Sequence, residues 1–156
     1  GASHWLSLDT DHLFRPGLLG ALSEAMGPDV GAVSGLIHKR LYPYHQVAFR
    51  FLPGTDGHEL VNIGPKAGLV EVDACAFGCT LVNLDAIVAK GWQPPWFVDT
   101  PRGRSDMNFC RAVRQLGLQV LVDARVHVGH LIEPAAVWPG NVDMARKMGA
   151  PPEDAS

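Results

Sequence analysis

Residues 5–11 read WLSLDTD, an apolar run that ends in two carboxylates separated by one residue. Such a run is typical of a buried strand, and in open α/β sheets ligands bind just beyond the carboxyl ends of the strands. Asp9 and Asp11 lie two positions apart, so they point to the same side if the extended geometry persists. Neighbouring carboxylates repel each other unless a cation or a proton intervenes, so the pair predicts a divalent metal site. The alternative is an Asp-rich turn without a ligand.

The composition is that of one globular domain. The chain has 156 residues, 47% of them hydrophobic and 19% charged, with a formal net charge of -3. This balance gives no broad electrostatic case for a nucleic-acid partner. No stretch approaches the ~18–20 uninterrupted apolar residues of a membrane span. Cys75, Cys79 and Cys110 match no common zinc spacing, so we expect buried free thiols in a reducing compartment, which predicts a cytoplasmic location.

The order of elements predicts an α/β fold. A strand over 4–8, a helix over 18–26 and a strand over 30–37 form a β-α-β unit, and the turn at 53–57 predicts a peripheral hairpin. Residues 70–82 predict one or two close-packed strands in which Gly78 permits a close backbone approach or a bulge. A short helix from 83 and a helix over 105–116 follow, the latter with Ser105 as N-cap and Asp106 in its first turn. Strands are expected over 118–122 and 125–128.

Several of these segments together resemble the second half of a GT-A glycosyltransferase domain, closest to the inverting family 2 type. The segments that carry the resemblance are 6–14 (LSLDTDHLF), 72–82 (VDACAFGCTLV), 95–97 (PWF), 105–118 (SDMNFCRAVRQLGL) and 122–131 (VDARVHVGHL). The resemblance implies a mixed-sheet α/β fold over residues 1–132, without the N-terminal half that holds the nucleotide. Residues 133–156 are then a C-terminal tail, partly helical or disordered.

The resemblance also implies roles for individual residues. Asp9 and Asp11 form the Asp-x-Asp motif that binds Mn²⁺ or Mg²⁺ and the donor diphosphate, and Asp106 is the catalytic base. His130 completes the metal coordination, with His127 as a rival ligand. Phe77 and Gly78 line the sugar side of the substrate cleft, and Trp96 and Phe97 line its acceptor side.

The expected reaction is transfer of a sugar from a nucleoside-diphosphate donor to a hydroxyl of a glycan, lipid or protein acceptor. A divalent metal neutralises the leaving diphosphate, and a carboxylate removes the acceptor proton. Without the nucleotide-binding half a sheet edge is exposed, which predicts self-association or a partner chain. Two alternatives remain: a catalytically inactive GT-A remnant or assembly module, and a haloacid-dehalogenase-like phosphatase with Asp9 as nucleophile and Asp11 as acid/base.

Overall fold

A computed structural model describes residues 1–64, 66–101, 103–132, 135–137 and 143. In chain order its elements are β1 (His4–Leu8), β2 (His12–Leu13), α1 (Leu18–Glu24), β3 (Val30–Leu36), β4 (Ala48–Phe51), β5 (His58–Leu60), β6 (Leu69–Val72), β7 (Ala74–Cys75), β8 (Cys79–Asn83), α2 (Leu84–Ala89), α3 (Ser105–Gln115), β9 (Gln119–His127), β10 (Gly129–Ile132) and β11 (Ala135–Val137).

The central sheet is mixed, as the sequence predicts. Its five strands run in the order β1-β8-β3-β9-β6. Only β3 and β9 pair in parallel; β1 with β8, β8 with β3 and β6 with β9 are antiparallel. The predicted β-α-β unit is present, but β8 lies between its two strands. The finer expectation of one or two strands over 70–82 is corrected: this stretch forms β6, β7 and β8, which belong to two different sheets.

β1, the strand that directly precedes Asp9, is an edge strand and not the buried strand that its apolar run predicts. Within the described part of the chain β1 pairs only with β8, and Trp5 and Leu8 are 39% and 44% exposed. A strand with a neighbour on one side leaves a row of peptide groups open to pairing. The expected exposed sheet edge is therefore found at β1.

Two small sheets flank the central one. The first has the order β5-β4-β7 and contains the predicted hairpin, with Phe49 opposite Leu60. The second has the order β11-β10-β2, and in it His130 lies directly opposite His12. This second pairing joins residues that are far apart in the sequence, and it positions the candidate site.

Side chains alternate between the two faces of the central sheet, as strand geometry requires. On one face Val33 and Leu121 pack with Leu22 of α1. On the other face Val120 packs with Phe109 of α3 and Ile87 of α2. The three cysteines are free and buried within these layers, as the sequence predicts.

The start of α3 differs from the predicted cap. Ser105 is the first helical residue and Arg104 occupies the cap position without a side-chain hydrogen bond. The Asp99 carboxylate instead accepts a hydrogen bond from the Ser105 amide at 2.6 Å. The Asn108 amide nitrogen donates to the carbonyl oxygens of Val98 and Gly103, which ties the preceding loop to the helix. The prediction of Asp106 in the first turn is confirmed.

Within the described residues no helix is long and apolar enough to cross a membrane. The expected tail at 133–156 contributes β11 at Ala135–Val137 and a helical residue at Asp143. The remainder of the expected tail lies outside the described residues.

Candidate metal centre

Backbone contacts fix the turn that follows β1. The Asp9 amide donates to the carbonyl oxygen of Gly78 at 3.0 Å, which continues the pairing of β1 with β8 past the end of the strand. Two residues later the carbonyl oxygen of Asp11 accepts from the Leu131 amide of β10 at 2.8 Å. The acidic turn is therefore held between two strands, and its side chains emerge at their junction.

The Asp11 carboxylate lies between two imidazole rings. Its Oδ1 is 3.1 Å from His12 Nδ1, and its Oδ2 is 3.2 Å from His130 Nε2. Arg40 Nη1 is 3.3 Å from Oδ2 as well, but its side chain is mostly exposed. Asp9 lies further out, with its Oδ2 3.9 Å from His12 Nδ1. We call Asp9, Asp11, His12 and His130 the Asp–His cluster.

His130 is oriented by the backbone of a neighbouring segment. Its Nδ1 lies 2.8 Å from the carbonyl oxygen of His38, and a carbonyl oxygen can only accept, so Nδ1 carries the hydrogen. In the neutral ring Nε2 then presents a lone pair to the Asp11 carboxylate. Two acceptors face each other unless a proton or a metal ion lies between them. A backbone carbonyl that fixes the outer nitrogen is the usual arrangement for a metal-binding histidine.

His12 is a buried imidazole without a hydrogen bond. Its side chain is 3% exposed, and neither ring nitrogen has a hydrogen-bond partner of acceptable geometry among the described residues, despite the short distance to Asp11. The ring stacks on His130 with 4.2 Å between centroids. Burying a polar group without a partner costs free energy. An unsatisfied imidazole beside two carboxylates is consistent with a metal ligand.

The cluster shifts the pKa values of its members in ways that favour ligation. Partial burial alone would raise the pKa of the Asp11 carboxyl, but the hydrogen bond and charge of His130, with the charge of His12, hold it below its usual value. Burial, together with the charge of His130, lowers the pKa of His12 against the opposing effect of Asp11 and Asp9. A lowered pKa keeps the carboxylate ionised and the His12 imidazole neutral near pH 7, and these are the forms that bind metals.

Gly78 permits the approach of the cluster to β8. A Cβ atom at this position would lie 2.6 Å from His12 Cε1 and 3.0 Å from Asp9 Oδ2. Any larger residue would therefore displace the imidazole or the carboxylate. The close approach that the sequence predicts at Gly78 is present, and it is required by the side chains of the candidate site.

The donor set fits a transition metal better than magnesium. One ligand atom from each of Asp11, His12 and His130 can be chosen so that all three lie within 4.8 Å of one another. Imidazole suits transition metals, whereas Mg²⁺ prefers oxygen ligands. Two imidazoles and a carboxylate are therefore compatible with Mn²⁺. The nearby Asp9 carboxylate would offer the ion a second oxygen ligand or bind one of its water ligands.

A cavity of about 230 Å³ opens beside the cluster. Asp9, His12, Gly78 and His130 lie along it together with two cationic residues, Lys39 and Arg40. A site that combines a metal centre and two cations can accept a polyanionic ligand such as a diphosphate.

A second cavity, of about 380 Å³, contains Asp106. It shares Lys39 and Val47 with the first cavity, so the two are neighbours. Asp106 therefore does not join the Asp–His cluster but lies in the adjoining space. Its Oδ1 accepts a hydrogen bond from the Met107 amide at 2.8 Å.

The aromatic residues predicted to bind substrates pack mainly on one another. Phe97 stacks on Phe109 at 4.6 Å and meets Phe77 edge-on at 5.1 Å. Trp96 packs against the same core and donates its ring N–H to the Trp92 carbonyl oxygen. Phe77, Trp96 and Phe97 line neither of the two cavities. The contacts in the structure are those of a core-anchoring aromatic cluster.

One member of the cluster, His12, was not predicted from the sequence. It directly follows the Asp-x-Asp motif, and that position was the available signal. Of the two rival histidines, the structure places His130 at Asp11, whereas His127 ends β9 beside a different cavity with Arg15 and Pro16.

No protein-family model matches the chain, and no curated protein matches it. Among solved structures the chain is similar to the A197 protein from STIV, with a TM-score of 0.63 at 15% sequence identity. The similarity covers 88% of this chain and 63% of A197, so the chain spans less than two thirds of that protein's length. At this identity the likeness shows a shared fold and nothing about activity.

Proposed function

We propose that this chain is the metal-binding part of a GT-A glycosyltransferase of the family 2 type, which moves a sugar from a nucleoside-diphosphate donor to an acceptor hydroxyl. The observation that carries the proposal is the Asp11 carboxylate held between His12 and His130 at the end of β1. A metal centre of this kind, beside a cationic cavity, is what a diphosphate leaving group needs.

The roles in the first cavity follow from charge. A bound Mn²⁺ supplies Lewis-acid stabilisation of the charge that develops on the leaving diphosphate. Asp11, His12 and His130 would hold the ion, and Asp9 would supply a further oxygen ligand or orient a water ligand. Arg40 and Lys39 line the same cavity and can pair with phosphate oxygens.

Asp106 is the proposed catalytic base. It lies in the first turn of α3, and it lines the cavity next to the candidate metal centre. A carboxylate there can remove the proton of an acceptor hydroxyl as that oxygen attacks the sugar from the side opposite the diphosphate. This geometry corresponds to inversion at the anomeric carbon.

The free edge of β1 supports the view that the domain is partial. In the described residues its outer side has no partner strand, and the 63% coverage of A197 leaves room for further structure in a related fold. We propose that a nucleotide-binding half pairs with this edge and supplies the contacts to base and ribose.

The experiment is titration calorimetry of the chain with a nucleoside diphosphate in the presence and absence of Mn²⁺. We expect Mn²⁺-dependent binding of UDP or GDP that is lost in Asp11→Asn and retained in Asp29→Asn, which removes an exposed carboxylate outside the site. Failure to bind either nucleotide at millimolar concentration with Mn²⁺ present would contradict the proposal for this chain.

Activity assays distinguish the alternatives. Sugar transfer or slow donor hydrolysis that is lost in Asp106→Asn, with nucleotide binding retained, supports the enzyme. Binding without turnover, even with a nucleotide-binding half added, indicates an inactive remnant. Hydrolysis of a generic phosphomonoester that Asp9→Asn abolishes would instead support the phosphatase.

A further inference from the structure

The cavity that contains Asp106 is rich in cationic side chains. It lies between the β4–β5 hairpin and the start of α3. Its basic lining residues are Lys39, His58, Arg104 and Arg111, and its acidic ones are Asp56 and Asp106. Arg104 directly precedes α3, and Arg111 is in its second turn.

The cations of this cavity differ in their pairing from four other arginines of the described residues. Arg40, Arg50, Arg114 and Arg125 each have a carboxylate within ion-pair distance. Within the described residues no ion pair joins Arg104, Arg111 or Lys39 to a carboxylate. Lys39, Arg104 and Arg111 outnumber the two carboxylates that line the same cavity, Asp56 and Asp106, so the cavity carries net positive charge that favours an anionic ligand.

Arg111 is also held in place before any ligand arrives. Its guanidinium carbon lies 3.9 Å from the centroid of the Phe51 ring, a cation–π contact that fixes the plane of the group. Its Nε atom is buried and has no hydrogen-bond partner in the described part of the chain. A guanidinium that packs on an aromatic ring and lines the cavity is suited to bind a phosphate or carboxylate.

We propose that this cavity binds the anionic group of a small hydroxyl-bearing molecule, with Arg104 and Arg111 as the anion ligands and Lys39 at the boundary with the metal centre. Asp106 repels the anion itself and can accept a hydrogen bond from a hydroxyl of the same molecule, which gives the ligand one orientation. That this ligand is the sugar acceptor rests on the proposed glycosyl transfer; the binding of the anion does not.

The test is binding of glycerol 1-phosphate, glycerate and neutral glycerol, measured with EDTA present so that the metal centre does not contribute. We expect the Arg111 Nε–H signal in ¹⁵N–¹H spectra to shift on titration, and at least one anion to bind about tenfold or more tightly than glycerol. Arg111→Met keeps most of the side-chain volume over Phe51 and should weaken anion binding about tenfold, as should Arg104→Ala. Lys90→Ala, which removes an exposed charge at the end of α2, should leave it unchanged.

Circular dichroism melts establish that each variant is folded. Equal affinity for the anions and glycerol, or equal loss in Lys90→Ala and Arg111→Met, overturns the proposal. Sedimentation with phosphatidylglycerol vesicles identifies the source of the anion. Vesicle binding that Arg111→Met abolishes assigns a lipid headgroup, whereas binding of glycerol 1-phosphate alone assigns a free molecule. If the protein binds the anion but no nucleotide, the cavity is an anion site and is not the acceptor site of a glycosyltransferase.

Discussion

Two clusters of acidic and basic side chains in this protein differ in how completely their members are paired. In the network of Glu71, Asp73, Arg50 and Arg114, Arg114 bonds Glu71 and lies 3.5 Å from Asp73, while Arg50 lies 3.7 Å from Asp73. The remaining Asp73 oxygen accepts from the Phe51 amide.

The Asp–His cluster has the opposite character. His12 is buried without a hydrogen bond, and the Nε2 atom of His130 lies 3.2 Å from the Asp11 carboxylate. The first cluster joins β4, β6 and α3 and needs no further ligand. The second leaves the His12 imidazole without a hydrogen bond, and a bound ion would satisfy it. On the proposed function, the first cluster is structural and the second binds a ligand.

The largest expected effect is on metal binding when the unpaired imidazole is replaced. His12→Leu removes a metal ligand and should lower Mn²⁺ affinity by about 100-fold or more. This loss is larger than the one expected from removing a residue that only hydrogen-bonds a ligand. In the metal-free protein the same change should raise the free energy of unfolding by about 1 kcal/mol, because it removes a buried polar group without a partner. Calorimetry and urea denaturation measure the two effects. If the free energy of unfolding and the Mn²⁺ affinity both fall in His12→Leu, His12 has a structural role only.

A steric change at the same cluster should have the next largest effect. Gly78→Ala places a methyl group against His12 and Asp9 and should weaken Mn²⁺ binding roughly 10–100-fold by displacing ligands. Gly20→Ala is the matched control, since an added Cβ there meets nothing within 4 Å. Unchanged Mn²⁺ affinity in Gly78→Ala would show that the cluster tolerates displacement.

A substitution in the paired network should lower the stability of the protein and leave its metal affinity unchanged. Asp73→Ala leaves Arg50 and Arg114 short of a partner and frees the Phe51 amide, so we expect the free energy of unfolding to fall by about 2 kcal/mol. Mn²⁺ affinity should not change. Chemical denaturation and metal titration on the same samples test both statements, and loss of Mn²⁺ binding in a folded Asp73→Ala protein would break the comparison.

The smallest effect concerns a third pair and depends on pH. Hydrogen bonds from Arg125 outweigh burial and lower the pKa of Asp123 below its usual value of 3.8. The stabilisation is therefore complete above pH ~4 and is lost as the pH falls through the lower pKa of the folded state. Asp123→Asn should flatten the acid limb of the stability curve. An unchanged slope below pH 4 would contradict the assignment.

The parts of the site that depend on local sequence could be predicted. Asp9 and Asp11 follow a strand, which the local apolar pattern indicates. The residue type at position 78, a glycine within a strand-like segment, signals a close approach without saying to which residues. The burial of His12 was not predictable, since it depends on pairing between β2 and β10, which are more than a hundred residues apart. For the same reason the apolar run of β1 could not distinguish an edge strand from a central one. Phe77 and Phe97 are predicted to bind substrates on the sugar side and the acceptor side, and their contact with each other could not be predicted from the sequence.

The central claim is that two histidines and Asp11 bind one metal ion. The direct test is pulsed electron paramagnetic resonance of Mn²⁺ bound to protein labelled with ¹⁵N-histidine. We expect hyperfine coupling to nitrogen from two imidazole rings, reduced to one in His12→Leu and in His130→Leu. A Mn²⁺ spectrum without nitrogen coupling in the unmodified protein would contradict the account.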